Sequence, residues 1–516
     1  MNILTSCLAL LPIVWLVVAL VALKIPGHWA CVSALAVAAV LALTVWKMPP
    51  VDALTSALEG FATALWPIIL VIIAAIFTYN LTLKTGAMDV IKGMLSSIST
   101  DKRIIVLLIG WCFGGFLEGM AGFGTAIAIP ASMLDAMGMN PILACVVCMI
   151  ANAFPTAFGS VGIPTVTLAS VTGLDPLPLA FTTALQMAPF MLVVPFLMIA
   201  AGCGGFKALK GVMGITLAAG VSFVIPELVV SYFAGPELTV IVGGVFSLGT
   251  VVLMARARRG RSVPAEYALD AAVPKTAIEA PRMGAVRAWL PFILIFVFLL
   301  LTSKLVPPIN ELLGQFKSTF QISTAAGATA TSFSWVNTPG IIIFAAALIG
   351  GLAQKAGFRQ MGHVFVMTLK QMSKTIITIL SVLAVAKLMT YSGMIAAMAS
   401  LFVAVTGPFY PFVAPVIAAL GAFVTGSGTS TEVLLGGLQV QAAAAIGASP
   451  YWLAAANSLG AGLGKVLSPQ CIATAAAAVG LAGQDSSLLR AAFKWILLLL
   501  ALACLVVGLL GGFSPA

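Results

Sequence analysis

Charge is what this chain has least of. Asp, Glu, Lys and Arg together make up 8% of its 516 residues, and histidine occurs only twice. A soluble domain carries about a quarter of its residues charged, so a surface wetted over its whole extent is excluded. The scarcity extends to chemistry. His28 and His363 lie far from the motifs described below and suggest neither a catalytic pair nor a metal site, so no cofactor and no metal are expected. Gly464-Lys465 is not a phosphate loop, because Leu459 stands where G-x4-G-K requires glycine and no hydroxyl follows the lysine. With no nucleotide motif, any work the protein does is expected to be driven by a gradient, not by ATP. The eight cysteines are scattered through apolar stretches, Cys145 and Cys148 forming a lone CxxC, and read as small hydrophobes. Residues 3–23 lack a basic leader and a small-residue cleavage site, which reads as a retained span.

What the chain does have is apolar length. Hydrophobic residues are 61% of the total and the mean hydropathy is +1.15, which divides the chain into spans of about 20 residues. Apolar segments fall near 3–23, 29–46, 62–79, 178–201, 211–230, 237–255, 288–307, 339–352, 373–391 and 490–512. Two further regions, 104–173 and 410–481, are apolar but broken by Gly, Pro, Asn and Ser. The net charge of +10 does not point to nucleic acid, since the cations cluster in short gaps between apolar runs, as topology determinants do. The one long hydrophilic stretch, 256–287, holds Arg256, Arg258, Arg259, Arg261, Lys275, Arg282 and Arg287 and is expected to be cytoplasmic. Counting outward gives twelve crossings with both termini outside.

The broken regions resemble each other. N-A-F-P-T-A-F-G-S-V-G-I-P runs from Asn152 to Pro164, and N-S-L-G-A-G-L-G-K-V-L-S-P runs from Asn457 to Pro469, an offset of 305 residues. Upstream, Gly122-Phe123-Gly124-Thr125 matches Gly426-Ser427-Gly428-Thr429 at an offset of 304. Three matches in order, counting Lys84-Thr85-Gly86 against Tyr391-Ser392-Gly393, define an internal repeat. The expected fold is all-α and polytopic, with two re-entrant hairpins and two inverted repeats carrying broken helices. The repeats span 62–201 (hairpin 104–137, broken helix 141–173) and 339–516 (hairpin 410–447, broken helix 451–481). Scaffold spans occupy 1–61 and 202–338, and surface arms 86–100 and 393–406. Inverted repeats with interrupted helices are a hallmark of secondary transporters, and the interruptions locate the substrate site.

Non-helical backbone at membrane depth must line protein or a water cavity. Gly122, Gly124, Gly426 and Gly428 fit hairpin tips, and Pro164 and Pro469 fit helix restarts. Helices beginning near Thr125, Thr165, Thr429 and Gln470 direct positive dipole ends to the midplane, which favours an anion. A charge inside the membrane needs a reason. Lys465, read as lying in the second unwound segment where its repeat partner is Ser160, is the expected carboxylate anchor. Glu118 and Glu432 are candidates to carry a coupling proton or to pair with Lys465. Lys374 and Lys387 are expected to snorkel to the two surfaces, and Asp135 and Glu227 to lie near interfaces.

G-F-L-E-G-M-A-G-F-G-T from Gly115, the Asn152 motif, and G-L-G-K-V-L-S-P-Q from Gly462 to Gln470 resemble the lactate permease family. More distantly, the two tips and two broken helices look like the ion transporter superfamily, whose dicarboxylate members work as elevators. The resemblance implies proton-coupled symport of a small monocarboxylate (L-lactate, D-lactate or glycolate) through a bacterial inner membrane, with the lipid bilayer and no nucleic acid as partner. The oligomeric state, monomer or homodimer, stays open. Substrate-binding residues implied by these motifs are Gly122, Gly124, Thr125, Asn152, Gly159, Ser160, Gly426, Ser427, Gly428, Thr429, Ser430, Asn457, Lys465, Ser468 and Gln470. Members often carry an acidic residue in G-S-D-T-S, where this chain has Gly428. The alternatives are a Na⁺-coupled carrier of another organic anion, a passive anion channel, and a membrane enzyme, for which no nucleophile or acid/base pair is found.

Overall fold

The computed structural model describes residues 3–122, 124–260, 262–269, 283–481 and 483–511. Arg261, Lys275 and Arg282 of the basic loop and Phe123 of the first tip lie outside the described residues. Helix dominates because a bilayer offers backbone N–H and C=O groups no other partner. Among the described residues, ten helices are long and apolar enough to cross a membrane. An eleventh span results if Pro141–Asn152 and Pro155–Thr172, bent by 60° at a short break, count as one. The protein is a multi-pass, essentially all-α membrane protein. Among the described residues the strands are one hairpin, Lys317–Phe320 paired antiparallel with Thr331–Ser334.

Two helices of 35 residues, Pro50–Lys84 and Phe358–Ser392, form one wall. They lie antiparallel. Near one end, a Cβ on Gly60 would stand 2.5 Å from the Ala384 backbone; near the other, Asn80 donates to Thr368 and Gln371 at 3.0 and 2.8 Å. Both run well beyond the apolar stretches at 62–79 and 373–391. The extensions are polar in composition but bury one face each: Ala53, Ser56, Gly60 and Thr63, and Met361, Val364, Thr368 and Met372. That spacing of three and four residues is a helix stripe that hydropathy alone passes over. At about 1.5 Å per residue Phe358–Ser392 is about 52 Å long, more than the roughly 30 Å hydrocarbon core. Pro50–Lys84 is interrupted at Trp66, whose φ of −133° and ψ of 117° are not helical. The β-hairpin packs along the first half of Pro50–Lys84, with Trp66 donating to the Ser334 carbonyl at 2.7 Å and Ser56 meeting Ser323 of the hairpin loop at 3.1 Å.

The wall carries a buried ion pair. Lys387 reaches Glu59 at 2.7 Å, and the Tyr391 hydroxyl donates to the same carboxylate at 3.0 Å. Lys387 does not snorkel to a surface, because its counter-ion comes from the neighbouring helix. Glu227 likewise departs from expectation. It is 1% exposed, and its Oε1 has no hydrogen-bond partner among the described residues.

Opposite the wall stand the two hairpins. The first pairs Lys102–Met120, buried throughout, with Thr125–Ala136; the second pairs Tyr410–Thr425 with Gly428–Ile446. Glycine sets how closely they pack. Gly460 and Gly464 on Pro450–Leu467 face the Pro415 and Ala419 carbonyls of the second hairpin, leaving no room for a Cβ. Gly462, on the same helix, meets the Ala153 carbonyl at the end of Pro141–Asn152. On the first hairpin, Gly115 packs on Phe223 of Met213–Phe233, and Phe116 on Gly244 of Thr239–Ala257.

Candidate functional site

The glycine-mediated approach of Pro450–Leu467 to the first broken helix delivers one side chain to a distant partner. Lys465 Nζ lies 3.0 Å from Glu118 Oε1 and 3.1 Å from Thr156 Oγ1. Asn152 Nδ2 donates to the other carboxylate oxygen at 2.8 Å. The Thr156 hydroxyl donates to the Asn152 carbonyl at 2.8 Å, which leaves its lone pairs to accept from Lys465. Side-chain exposure is 10% for Lys465 and 2% for Glu118, so the pair is desolvated and its charges answer mainly to each other. Gly159 makes room for it, since a Cβ there would sit 2.6 Å from Glu118 Oε1.

The two breaks are unequal. The first opens between Asn152 and Ile163: a 3₁₀ turn, Pro155–Phe158, is followed by Ser160, Val161 and Gly162 at φ of 46°, 59° and 75°. Left-handed conformation is unfavourable for Ser and above all for β-branched Val, and such strain is held at functional sites by surrounding contacts. Here Ser160 donates from Oγ to the Ala121 carbonyl of the first tip at 2.7 Å, tying break to tip. Pro164 falls in the first turn after the left-handed stretch, where its missing N–H is no loss. The second break is a single extended residue. Ser468 caps Pro469–Ala478 by accepting from Cys471 N at 3.2 Å. Lys465 therefore sits in the last turn of the preceding helix, not in an unwound segment.

Both tips border one cavity of about 500 Å³. Gly122, Gly124 and Thr125 come from the first, and Gly426, Ser427, Gly428, Thr429 and Ser430 from the second. Gly426 takes φ 67° and lies against Gln470, whose Oε1 would be 2.6 Å from an added Cβ. Ser427 caps the following helix by accepting from Ser430 N at 3.2 Å. Gly159, Ser160, Lys465, Gln470 and Glu118 border it as well, with Thr156 and Thr474 among their neighbours in the lining.

Four of the sequence-derived residues do not border the cavity. Asn152 stands behind Glu118 as its hydrogen-bond donor, and Ser468 is a helix cap. Asn457 and Glu432 are bound to each other at 2.7 Å, within a buried polar chain that continues through Gln439 to Tyr410. Each repeat-related asparagine thus holds a glutamate, but only Glu118 among these two reaches both the cavity and Lys465.

Lys374, His28, Gln371, Thr375 and Thr378 also line the cavity, where sequence reasoning took Lys374 to reach a surface and His28 to lie far from the motifs. The signal was there. Positions 371, 374, 375 and 378 fall on one face of a helix, a polar stripe on an otherwise apolar span. Glu118 is the lone carboxylate among the lining residues, against two ammonium groups.

Comparison with known proteins covers nearly the whole chain. The family model described as L-lactate permease matches residues 5–512. An L-lactate permease of Streptococcus iniae is 44% identical over 87% of this chain and 93% of its own. An L-lactate permease of Escherichia coli (strain K12) is 36% identical, and the Glycolate permease GlcA of the same strain 35%, each over 95% of this chain and 93% of its own. Among solved structures, that of the Alcanivorax borkumensis YdaH transporter matches with a TM-score of 0.48 and 14% identity, covering 89% of this chain and 88% of that one. On the strength of the family model and these relatives, the chain belongs to the L-lactate permease family.

Proposed function

We propose that the protein is a symporter, not an enzyme, which couples entry of a small 2-hydroxy monocarboxylate such as lactate or glycolate to entry of one proton across a bacterial inner membrane. The observation that carries this is the Lys465–Glu118 pair at the cavity wall, 3.0 Å apart and nearly dry. With the site empty, the two charges cancel. A substrate carboxylate on Lys465 adds a second negative charge, and burying net charge costs several kcal/mol. A proton on Glu118 removes that cost. The empty and the fully loaded sites are both neutral, while either half-loaded site is charged, so relocation across the membrane favours both ligands or neither. Thr156 and Asn152 hold Glu118 in position for the exchange, and the hydroxyls of Thr125, Ser427, Thr429 and Ser430 offer partners for the 2-hydroxyl.

The same reading assigns motion. We take 62–201 and 339–516 as inverted repeats in a twelve-crossing chain with both termini outside, their tips reaching the cavity from opposite faces. The antiparallel course of the repeat-related helices Pro50–Lys84 and Phe358–Ser392 supports this. The hairpins and broken helices move as one body along that wall. The glycine contacts of Met213–Phe233 and Thr239–Ala257 on the first hairpin favour counting these two helices with the moving body, not with the scaffold. The test is uptake of labelled L-lactate and glycolate into proteoliposomes after a pH jump, with choline replacing Na⁺. Accumulation under an inward proton gradient supports the proposal; accumulation that requires Na⁺ refutes it.

A further inference from the structure

The cavity has two walls and three ionic side chains, and their arrangement is uneven. Lys465 and Glu118 neutralise each other on the hairpin side. Lys374 stands on the opposite wall, on Phe358–Ser392. It is exposed and makes no ion pair with another described residue. The same helix face gives the cavity Gln371, Thr375 and Thr378, and Gln371 is fixed by accepting from Asn80 at 2.8 Å. Lys374 opens the apolar stretch 373–391, where the polar extension of the same helix ends, and its exposed side chain borders the cavity beside Pro26 and His28.

We propose that Lys374 is an anion-capture residue on the static wall, which binds the substrate carboxylate before it reaches Lys465. The inference rests on the monocarboxylate reading above and adds a second binding position to it. Lys465 is closed to an arriving anion as long as ionised Glu118 holds it. Lys374 has no such competitor and is hydrated, so pairing there carries little desolvation cost. It also supplies the cavity's uncompensated positive charge, and a water-filled cleft of one sign raises the local concentration of the opposite ion. The anion waits at Lys374 until Glu118 is protonated and then transfers. As the hairpins slide, Lys374 stays behind, so it contributes to capture and not to the carried state.

The two positions are separable because salt screens a hydrated charge, the Debye length being about 8 Å at 0.15 M, and affects a buried pair far less. Purified full-length protein, Lys374→Gln and Lys374→Arg are reconstituted, and initial rates of labelled L-lactate uptake are measured against concentration at low and high ionic strength. Lys374→Gln is expected to raise the apparent KM roughly two- to fivefold at low salt, to lose most of the salt dependence, and to keep the maximal rate. Lys374→Arg is expected to restore both. An unchanged KM and salt dependence, or a fall in maximal rate alone, would overturn the assignment. Absence of lactate uptake by the parent protein would instead remove the substrate reading, and this inference with it.

Discussion

At the scale of single residues, the account turns on what each member of the Lys465–Glu118 pair does when the other is gone. Removing one partner of a buried pair strands a charge and costs about 3–5 kcal/mol, while replacing both is close to neutral. Lys465→Met is therefore expected to cripple uptake and to lower the thermal midpoint in detergent, and Lys465→Met/Glu118→Gln to recover the midpoint without recovering uptake. A double variant no more stable than the single one would show that the pair is not coupled as drawn. Most of this site was legible in the sequence, because Gly, Asn and Lys in broken apolar segments have few reasons to be there. Lys387 was not. A lysine near the end of a span reads as snorkelling unless its counter-ion is known, and Glu59 lies 328 residues earlier. Lys374 is exposed, as expected of a lysine at the edge of a span, but hydropathy records a charge and not the cavity beside it.

At the scale of elements, glycine does the positioning. Gly462 and Gly464 let Pro450–Leu467 lie against backbone carbonyls on two sides, and that approach carries Lys465 to Glu118. Gly464→Val should push the helix off the second hairpin at a cost of about 1–3 kcal/mol. Because the displaced helix bears Lys465, lactate affinity should fall with the melting temperature; a variant with reduced stability and normal affinity would separate packing from the site. Gly159→Ala acts more locally. Its Cβ would fall 2.6 Å from Glu118 Oε1, so uptake should drop with little change in stability. The likeness of the two motifs was visible in the sequence, but the unequal depth of the two breaks was not. Both motifs keep Asn, Gly and Pro in register; the difference lies in φ, which Ser160 and Val161 reveal only once folded.

At the scale of the whole molecule, the claim is that a neutral site moves along a fixed wall and a charged one does not. Spin labels on the exposed positions Leu420, of the second hairpin, and Leu43, of Gly27–Thr44, should change separation when lactate is added at acid pH. A pair within the wall side, Leu43 and Leu352, should not. Equal shifts in both pairs would contradict a single sliding body.

Charge balance itself is tested most directly by Glu118→Gln in proteoliposomes, comparing lactate accumulation under an inward proton gradient with exchange of internal for external lactate. With glutamine, Lys465 and the substrate carboxylate still form a neutral loaded site, but the empty site is left positive and its return is impeded. The account predicts that exchange survives and that proton-driven accumulation is lost. Accumulation at the parent level by Glu118→Gln would contradict it.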